Sequence, residues 1–280
     1  MTKYCILTPD ATYSERWQGD ADRFRDLLGK NVTFRPWVDA GDLTKFDLVL
    51  PLLVWGYPLQ SARWYLAVDA WEDQGVRLCN PAPTLRWNTD KDYLIDLAEV
   101  NIPSVQTVEI HGLNNDSLAE ARKELNCDTL VVKPSISAGA VRTYRLNPGD
   151  AIPFDVLEKE MLVQPVMKSV IEEGEYSLLW FGGKFSHAVL KRPAPGDFRV
   201  QPQFGGTDVA VTPPTEAMAL GEATMAACPY PISYARIDML RAPDGAFVLM
   251  ELELIEPALF LHHAPDGGAA FVQAIKQCAR

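Results

Sequence analysis

The 280-residue chain is predicted to fold as an α/β protein that passes into α+β. Two observations predict this. Short β-rich runs alternate with helical stretches in the first third, which is the pattern of a parallel sheet. The remainder carries hairpins instead of crossovers, marked by Gly182-Gly183 and by Ala242-Pro243-Asp244-Gly245 between apolar runs.

Tyr4 to Thr8 reads as a short apolar strand, followed by a polar Pro-Asp loop and a helix around Phe24, Leu27 and Leu28. Strands are expected over Val32 to Trp37, Phe46 to Val54 and Arg77 to Cys79. Between Ser61 and Gly75, Trp64, Tyr65, Val68 and Trp71 recur near helical spacing, which favours core packing over a pocket wall. Trp55-Gly56-Tyr57 is the better pocket candidate, because open α/β sheets place ligands just after their strands. No G-x-G-x-x-G follows the first strand, so a dinucleotide site is not supported.

Asn88, Thr89 or Asp90 is expected to cap a helix burying Leu94, Leu97 and Ala98, with Asn101 as a left-handed stop before Pro103. Lys91 then falls in the first turn, where a cation opposes the helix dipole and needs either water or an anion. Ser117 to Glu120 reads as a capping box for a second helix. In the strand Thr129 to Pro134, Lys133 is the single charge in a β-branched run, so it turns to solvent or meets an anion. The small, hydroxylic run Ser135 to Ala140 follows, and its backbone N–H groups could wrap phosphate oxygens.

Met161 to Val166 reads as an apolar strand that Pro165 confines to an edge or hinge. A hairpin over Tyr176 to Arg192, a close approach at Gly205-Gly206, a helix over Thr215 to Ala227 and a closing helix over Gly267 to Ala279 complete the chain. His187 reads as packed or exposed, and the His262-His263 pair as a loop feature with no zinc-like partner spacing.

The richest stretch is the hairpin Tyr234 to Pro257. Asp238 lies in its first strand; Glu251 and Glu253, two apart, lie on one face of its second. Converging carboxylates repel unless a cation joins them. Oxygen donors without His or Cys favour magnesium, although a plain solvated face would also explain the alternation.

The net charge of −11 argues against a nucleic-acid partner, and a negatively charged substrate would have to meet locally placed Lys and Arg. The amino-terminal sequence is too short and polar for a secretory signal, and no apolar run reaches membrane-spanning length, so a cytoplasmic protein without a membrane partner is expected. Five scattered cysteines without a C-x-x-C pair suggest reduced, buried thiols.

In order, these features form one succession: a lysine at a helix start, a lysine in V-V-K-P before a Ser/Gly loop, an apolar Q-P-V strand, a basic loop and a terminal D…E-x-E. The succession resembles the ATP-grasp ligases over roughly residues 80 to 260, especially the branch of bacterial glutathione synthetase and ribosomal-protein S6 glutamate ligase. Arg199 to Gly206 is similar in spacing to that branch's R-x-N-x-x-x-G-G element. Glu251-Leu252-Glu253 with Pro257 resembles its E-x-N-x-x-x-P metal motif. Gln201 and Glu253 depart from the pattern, standing where that branch has Asn; an acid at the metal keeps an oxygen ligand and adds charge. The segments NPAPTLRWNTDKDYLIDLAE, VVKPSISAGA, FSHAVLK and ELELIEPALFL are closer still to the cyclo-ligases that close O-ureido-serine to D-cycloserine.

The resemblance implies an ATP-grasp fold, with a substrate domain over 1–88, a lid subdomain over 89–165 and a carboxy-terminal subdomain over 166–280 that carries the metal site. It implies an ATP-dependent carboxylate–amine ligase working through an acyl phosphate on a small amino-acid-like substrate, including intramolecular ring closure. Lys91 and Lys133 would bind the α- and β-phosphates, with Ser135, Ser137, Ala138 and Gly139 closing over them. Gln164, Pro165 and Val166 would meet the adenine, and Glu172, Glu173 or Glu175 the ribose. Asp238, Glu251 and Glu253 would hold two Mg2+, with Mn2+ an admissible substitute. Arg199, with Lys191 or Arg192, would neutralise the acyl phosphate, and Arg236 would join them or simply pair with Asp238. Relatives of this kind are frequently homodimers. A catalytically silent ATP-binding partner protein and a ligase using a peptide or protein acceptor are the alternatives.

Overall fold

The computed structural model describes residues 2–13 and 17–280. Its first unit is a parallel sheet. Strand β1 (Tyr4–Thr8) lies between β2 (Val32–Pro36) and β3 (Leu48–Leu50), with helix α1 (Gln18–Leu28) linking the first two. Every β1 residue is buried, as expected of a central parallel strand covered on both faces. The strand expected over Phe46 to Val54 shrinks to three residues, and Arg77 to Cys79 contributes only the single bridge from Leu78 to Val49. Helix α2 (Ser61–Asp73) packs Trp64, Val68 and Trp71 into the core, so these aromatics are structural.

An unforeseen helix, α3 (Ala82–Thr89), takes up Asn88 and Thr89 in its last turn, so neither caps the next helix. Asp90 does not cap it either: the N-cap of α4 (Tyr93–Glu99) is Asp92, with no side-chain cap, and Asp90 only accepts the Asp92 N–H at 3.2 Å in the turn before the helix. Leu94 and Leu97 are buried as expected, but Tyr93 joins them and Ala98 faces solvent. Asn101 takes the expected left-handed conformation at φ 67°.

The second unit is a four-stranded antiparallel sheet in the order β4 (Val108–His111), β7 (Glu160–Pro165), β5 (Leu130–Lys133), β6 (Tyr144–Leu146), with α5 (Asn115–Glu124) alongside. Helix α5 begins three residues earlier than its sequence signal. Asn114 accepts the N–H groups of Asp116 and Ser117 at 3.0 Å, and Ser117 Oγ accepts the Asn114 N–H at 2.9 Å. Asn caps as well as Ser, and the earlier candidate wins. Strand β7 is central, not an edge: Pro165 stands at its last position, where the missing N–H interrupts no ladder.

The third unit begins with α6 (Ser169–Glu172) and holds β8 (Glu175–Phe181), β9 (Lys184–Arg192), β10 (Thr207–Val211), α7 (Thr215–Ala227), β11 (Tyr234–Arg241), β12 (Phe247–Glu253) and α8 (Ala269–Cys278). Its antiparallel order is β10-β9-β8-β11-β12. Gly182 and Gly183, at φ 57° and 74°, supply the left-handed pair that the tight β8–β9 turn needs. One face of this sheet packs on α7 and α4, joining Tyr93, Leu94, Leu220 and Ile237 in one core. The other core joins α8 to the first sheet through Phe271, Ala274, Tyr4 and Ile6. His187 is buried, with Nε2 3.1 Å from the carbonyls of Leu259 and Phe260, the packed alternative of its sequence reading. All five cysteines are free, and among the described residues no helix is long and apolar enough to cross a membrane.

Candidate active site

A cavity of about 790 Å³ opens where the three sheets meet. Its floor is the β11–β12 hairpin, where Asp238 pairs with Glu251 and Arg236 with Glu253. The period of two along β12 puts Glu251 and Glu253 on the cavity side, and a bulge follows Asp238. Asp238, Glu251 and Glu253 each offer an oxygen within 4.8 Å of the others. Oxygen-only donors at this spacing fit a hard divalent cation.

Basic groups hold these acids together. Asp238 is 2% exposed and accepts hydrogen bonds from Ser177 Oγ, from Lys191 Nζ at 3.0 Å and from Arg236 Nη2 at 2.9 Å. Burial pushes its carboxyl up, but Arg236 and Lys191 outweigh that and hold it well below the carboxylate range. Arg236 also pairs with Glu253, and Lys191 with Glu175. Burial also acts against the charged form of Glu251, but Lys91 and Lys133 keep its pKa low. Burial dominates at Glu253, where Glu251 and Asp238 add repulsion, and its pKa rises to about 7 despite Arg236.

Lys91 lies 3.2 Å from Glu251 Oε1 and donates to the Ser137 carbonyl. Lys133 is 5% exposed, lines the cavity and has no hydrogen-bond or ion-pair partner among the described residues. Desolvation lowers its pKa to about 8, partly countered by Glu251. The sheet thus buries a cation facing a cavity without a direct counter-ion, an arrangement that suits an incoming anion.

Over these lysines runs the loop after β5. Ser137, Ala138 and Gly139 line the cavity; Ser135 does not, because its hydroxyl donates to Asp90 at 3.1 Å. Gln203 Nε2 donates to the Gly139 carbonyl at 3.2 Å, linking this loop to the segment carrying Arg199. Arg199 lines the cavity with its guanidinium 3.6 Å from the Phe204 ring centroid and bound to both oxygens of Asp197. Gly206 is required for contact: a Cβ there would stand 2.0 Å from the Val200 carbonyl oxygen.

Gln164, Pro165 and Val166 line the cavity. Gln164 Nε2 donates to Thr107 at 2.8 Å while its Oε1 is buried without a partner. Of the three acids considered for the ribose, Glu175 alone reaches the wall; Glu172 is exposed, and Glu173 is engaged by Tyr176 and Arg241. Arg192 does not reach the cavity either. It follows Lys191 on β9, so its side chain leaves the opposite face and donates to the Glu173 carbonyl.

Trp55, Gly56 and Tyr57 also line the cavity, as expected of residues beyond a parallel strand. Two groups escaped sequence reasoning. Asp10, Thr12 and Tyr13, after β1, also contribute to the wall; the rule that found Trp55 would have found them. Glu256 lines the cavity with no ion-pair partner among the described residues, and burial and Glu253 raise its pKa to about 8. No sequence signal marked it.

No family model matches the chain. It is 28% identical over 263 residues to the cycloserine biosynthesis protein DcsG of Streptomyces lavendulae, covering 86% of each chain. The crystal structure of D-cycloserine synthetase DcsG superposes with a TM-score of 0.82 at 25% identity, over 99% of this chain and 100% of that one. The D-alanine–D-alanine ligase of Bacillus anthracis complexed with ATP superposes at 0.70 with 18% identity, over 100% and 97%. With its three units and buried lysines facing clustered carboxylates across one cavity, the chain has the fold of the ATP-grasp ligases.

Proposed function

We propose that this chain is a cytoplasmic ATP-dependent carboxylate–amine ligase that activates the carboxylate of a small amino-acid-like substrate as an acyl phosphate. Ring closure within a single substrate, of the O-ureido-serine type, is the favoured form, given the likeness to a cycloserine biosynthesis protein. The observation that carries the reading is Lys133, a buried ammonium with no ion-pair partner on the cavity wall. In this reading Lys133 and Lys91 bind the phosphates of ATP, and the backbone of Ser137 to Gly139 folds over them. The Gln164 to Val166 segment meets the base and Glu175 lies nearest the ribose. Ser135, Glu172, Glu173 and Arg192 drop out of the site.

The carboxylates of Asp238, Glu251 and Glu253 would hold magnesium, expected as two ions with manganese as a substitute. Bound there, the metal supplies charge neutralisation on the transferring phosphoryl group. Lys191 and Arg236 fix Asp238 in its charged form. Arg199, released from Asp197 or sharing it, faces the developing acyl phosphate, and the loop bridged by Gln203 and Gly139 keeps water from it. Phosphoryl transfer asks mainly for positioning and charge, so no side chain acts as a covalent nucleophile. The aromatic and acidic stretch of the wall, with Trp55, Tyr57 and Glu256, is where the amino-acid part sits. A homodimer is the expected assembly.

The test is ATP binding by calorimetry with and without Mg2+, followed by ADP release on O-ureido-serine and related amino acids. Mg2+-dependent binding with ADP release on an amino-acid substrate is expected. Binding without release on any small substrate would favour a silent nucleotide-binding protein, and absence of binding would remove the ligase reading.

A further inference from the structure

Asp208, His262 and His263 come together from separate parts of the chain, as a group distinct from the three carboxylates. Asp208 is on the edge strand β10, and the histidines are on the turn that follows β12. Phe260 takes a left-handed φ of 45°, and the His263 N–H closes back on the Phe260 carbonyl at 2.8 Å. The chain therefore bends sharply. Neighbouring side chains, which leave opposite sides of an extended segment, here face the same way, with ring centroids 4.1 Å apart.

Both imidazoles address one oxygen. Asp208 Oδ1 lies 2.6 Å from His263 Nε2 and 3.4 Å from His262 Nε2. The first is a hydrogen bond; the second is beyond ordinary hydrogen-bond length. Neither ring nitrogen of His262 has a hydrogen-bond partner among the described residues. Asp208 thus satisfies one ring, while the second is brought up beside it without a hydrogen bond of its own. All three donor atoms lie within 4.8 Å of one another, close enough for small side-chain adjustments to bring them to about 2.0–2.2 Å from one ion.

The geometry points to a binding site for a zinc-class divalent cation (Zn2+, Co2+ or Ni2+) formed by Asp208, His262 and His263. Imidazole nitrogen selects these ions over magnesium, and three protein ligands leave a fourth position for water or a further ligand. His262 is 48% exposed, so an ion has a path in from solvent. The donor set differs in kind from the oxygen-only cluster of Asp238, Glu251 and Glu253, so one chain can sort two metals between two sites. The ion would join β10 to the turn after the carboxylate strand. Asp208 lies opposite Lys191 in the β9–β10 register and itself lines the nucleotide cavity, so occupancy is transmitted to its wall. The site stands on its own geometry and does not depend on the ligase reading.

The experiment is calorimetric titration of chelator-treated full-length protein with Zn2+, in excess Mg2+ to fill the oxygen site. One zinc ion per chain is expected to bind, and His262→Ala/His263→Ala to lose it. Outer partners of a metal already account for about 10–100-fold in affinity, so losing two inner ligands weakens binding by at least about 100-fold. Glu251→Gln should leave zinc affinity unchanged. X-ray absorption on the zinc-loaded wild type provides a readout that needs no variant, with two imidazoles in the inner shell expected. An inner shell containing sulfur, zinc affinity unaltered in the double variant, affinity lost in Glu251→Gln, or no uptake in excess Mg2+ would each overturn the assignment.

Discussion

Lys91 Nζ stands 3.2 Å from Glu251 Oε1 and donates to the Ser137 carbonyl, so one ammonium joins the entrance of α4, the carboxylate strand and the loop after β5. Replacing Lys91 by Met should release that loop. Faster amide hydrogen exchange over residues 135–141 is expected, with a raised KM for ATP. Unchanged exchange there would show that the loop is held by other contacts.

Lys133→Met should have opposite effects on the free and the nucleotide-bound protein. Removing a buried ammonium that has no direct partner stabilises the free protein, whereas the gain in melting temperature on adding ATP with Mg2+ shrinks or disappears. The pH dependence has a definite sign. The folded-state pKa of about 8 lies below the ordinary 10.5, so the unfolded chain binds more protons between those values. The penalty is fully present below pH 8 and is relieved as pH rises towards 10.5. Wild-type stability, measured without nucleotide by urea unfolding, should therefore rise relative to Lys133→Met across that window.

Asp238→Asn should be a folding lesion as much as a catalytic one. The change leaves Lys191 and Arg236 buried around a neutral group, and breaking a buried ion pair costs about 3–5 kcal/mol. Denaturant titration reads this directly, and a loss below about 1 kcal/mol, the scale of exposed pairs, would show that water reaches the cluster.

Glu251→Gln should separate chemistry from folding. The side chain keeps its shape and one acceptor oxygen for Lys91 but loses the second acceptor and the charge that faces Lys91 and the metal position. Melting temperature close to wild type is expected, with ADP release abolished. Full Mg2+-dependent activity in this variant would contradict the role given to Glu251.

Gly206→Ala tests the loop that carries Arg199. The added carbon would meet the Val200 carbonyl oxygen at 2.0 Å, so the backbone from Val200 to Gly206 has to move. Because Val200 is itself buried against Val105, Val170 and Leu240, a modest loss of overall stability is expected, with turnover falling while ATP affinity persists. Separate measurements of ATP Kd and kcat distinguish this from a loss of nucleotide binding.

Elements with strong local signals were legible in the sequence. Helix α7 begins and ends at the predicted residues, and the Gly182-Gly183 and Asp244-Gly245 turns fall where their dipeptides placed them. Asp238, Glu251 and Glu253 converge because a period of two is enough to place side chains across a hairpin. What escaped depends on the third dimension. The short strands β4, β6 and β10 are recruited by their neighbours, not by their own composition. The exclusion of Arg192 and Glu173 follows from strand face and from partners remote in sequence. Glu256 and the meeting of Asp208 with His262 and His263 follow from the turns after β12, which no dipeptide announces.

Helix α8 has a further implication. Its Phe271, Ala274 and Ile275 fill the core beneath β1, so that strand acquires its complete hydrophobic cover only after residue 275 has emerged from the ribosome. During translation the parallel sheet is a half-covered surface, and for that interval it is open to mispairing and to chaperone binding. Substitutions such as Phe271→Ala would therefore act first on the yield of folded protein in the cell, and only secondarily on the enzyme that survives.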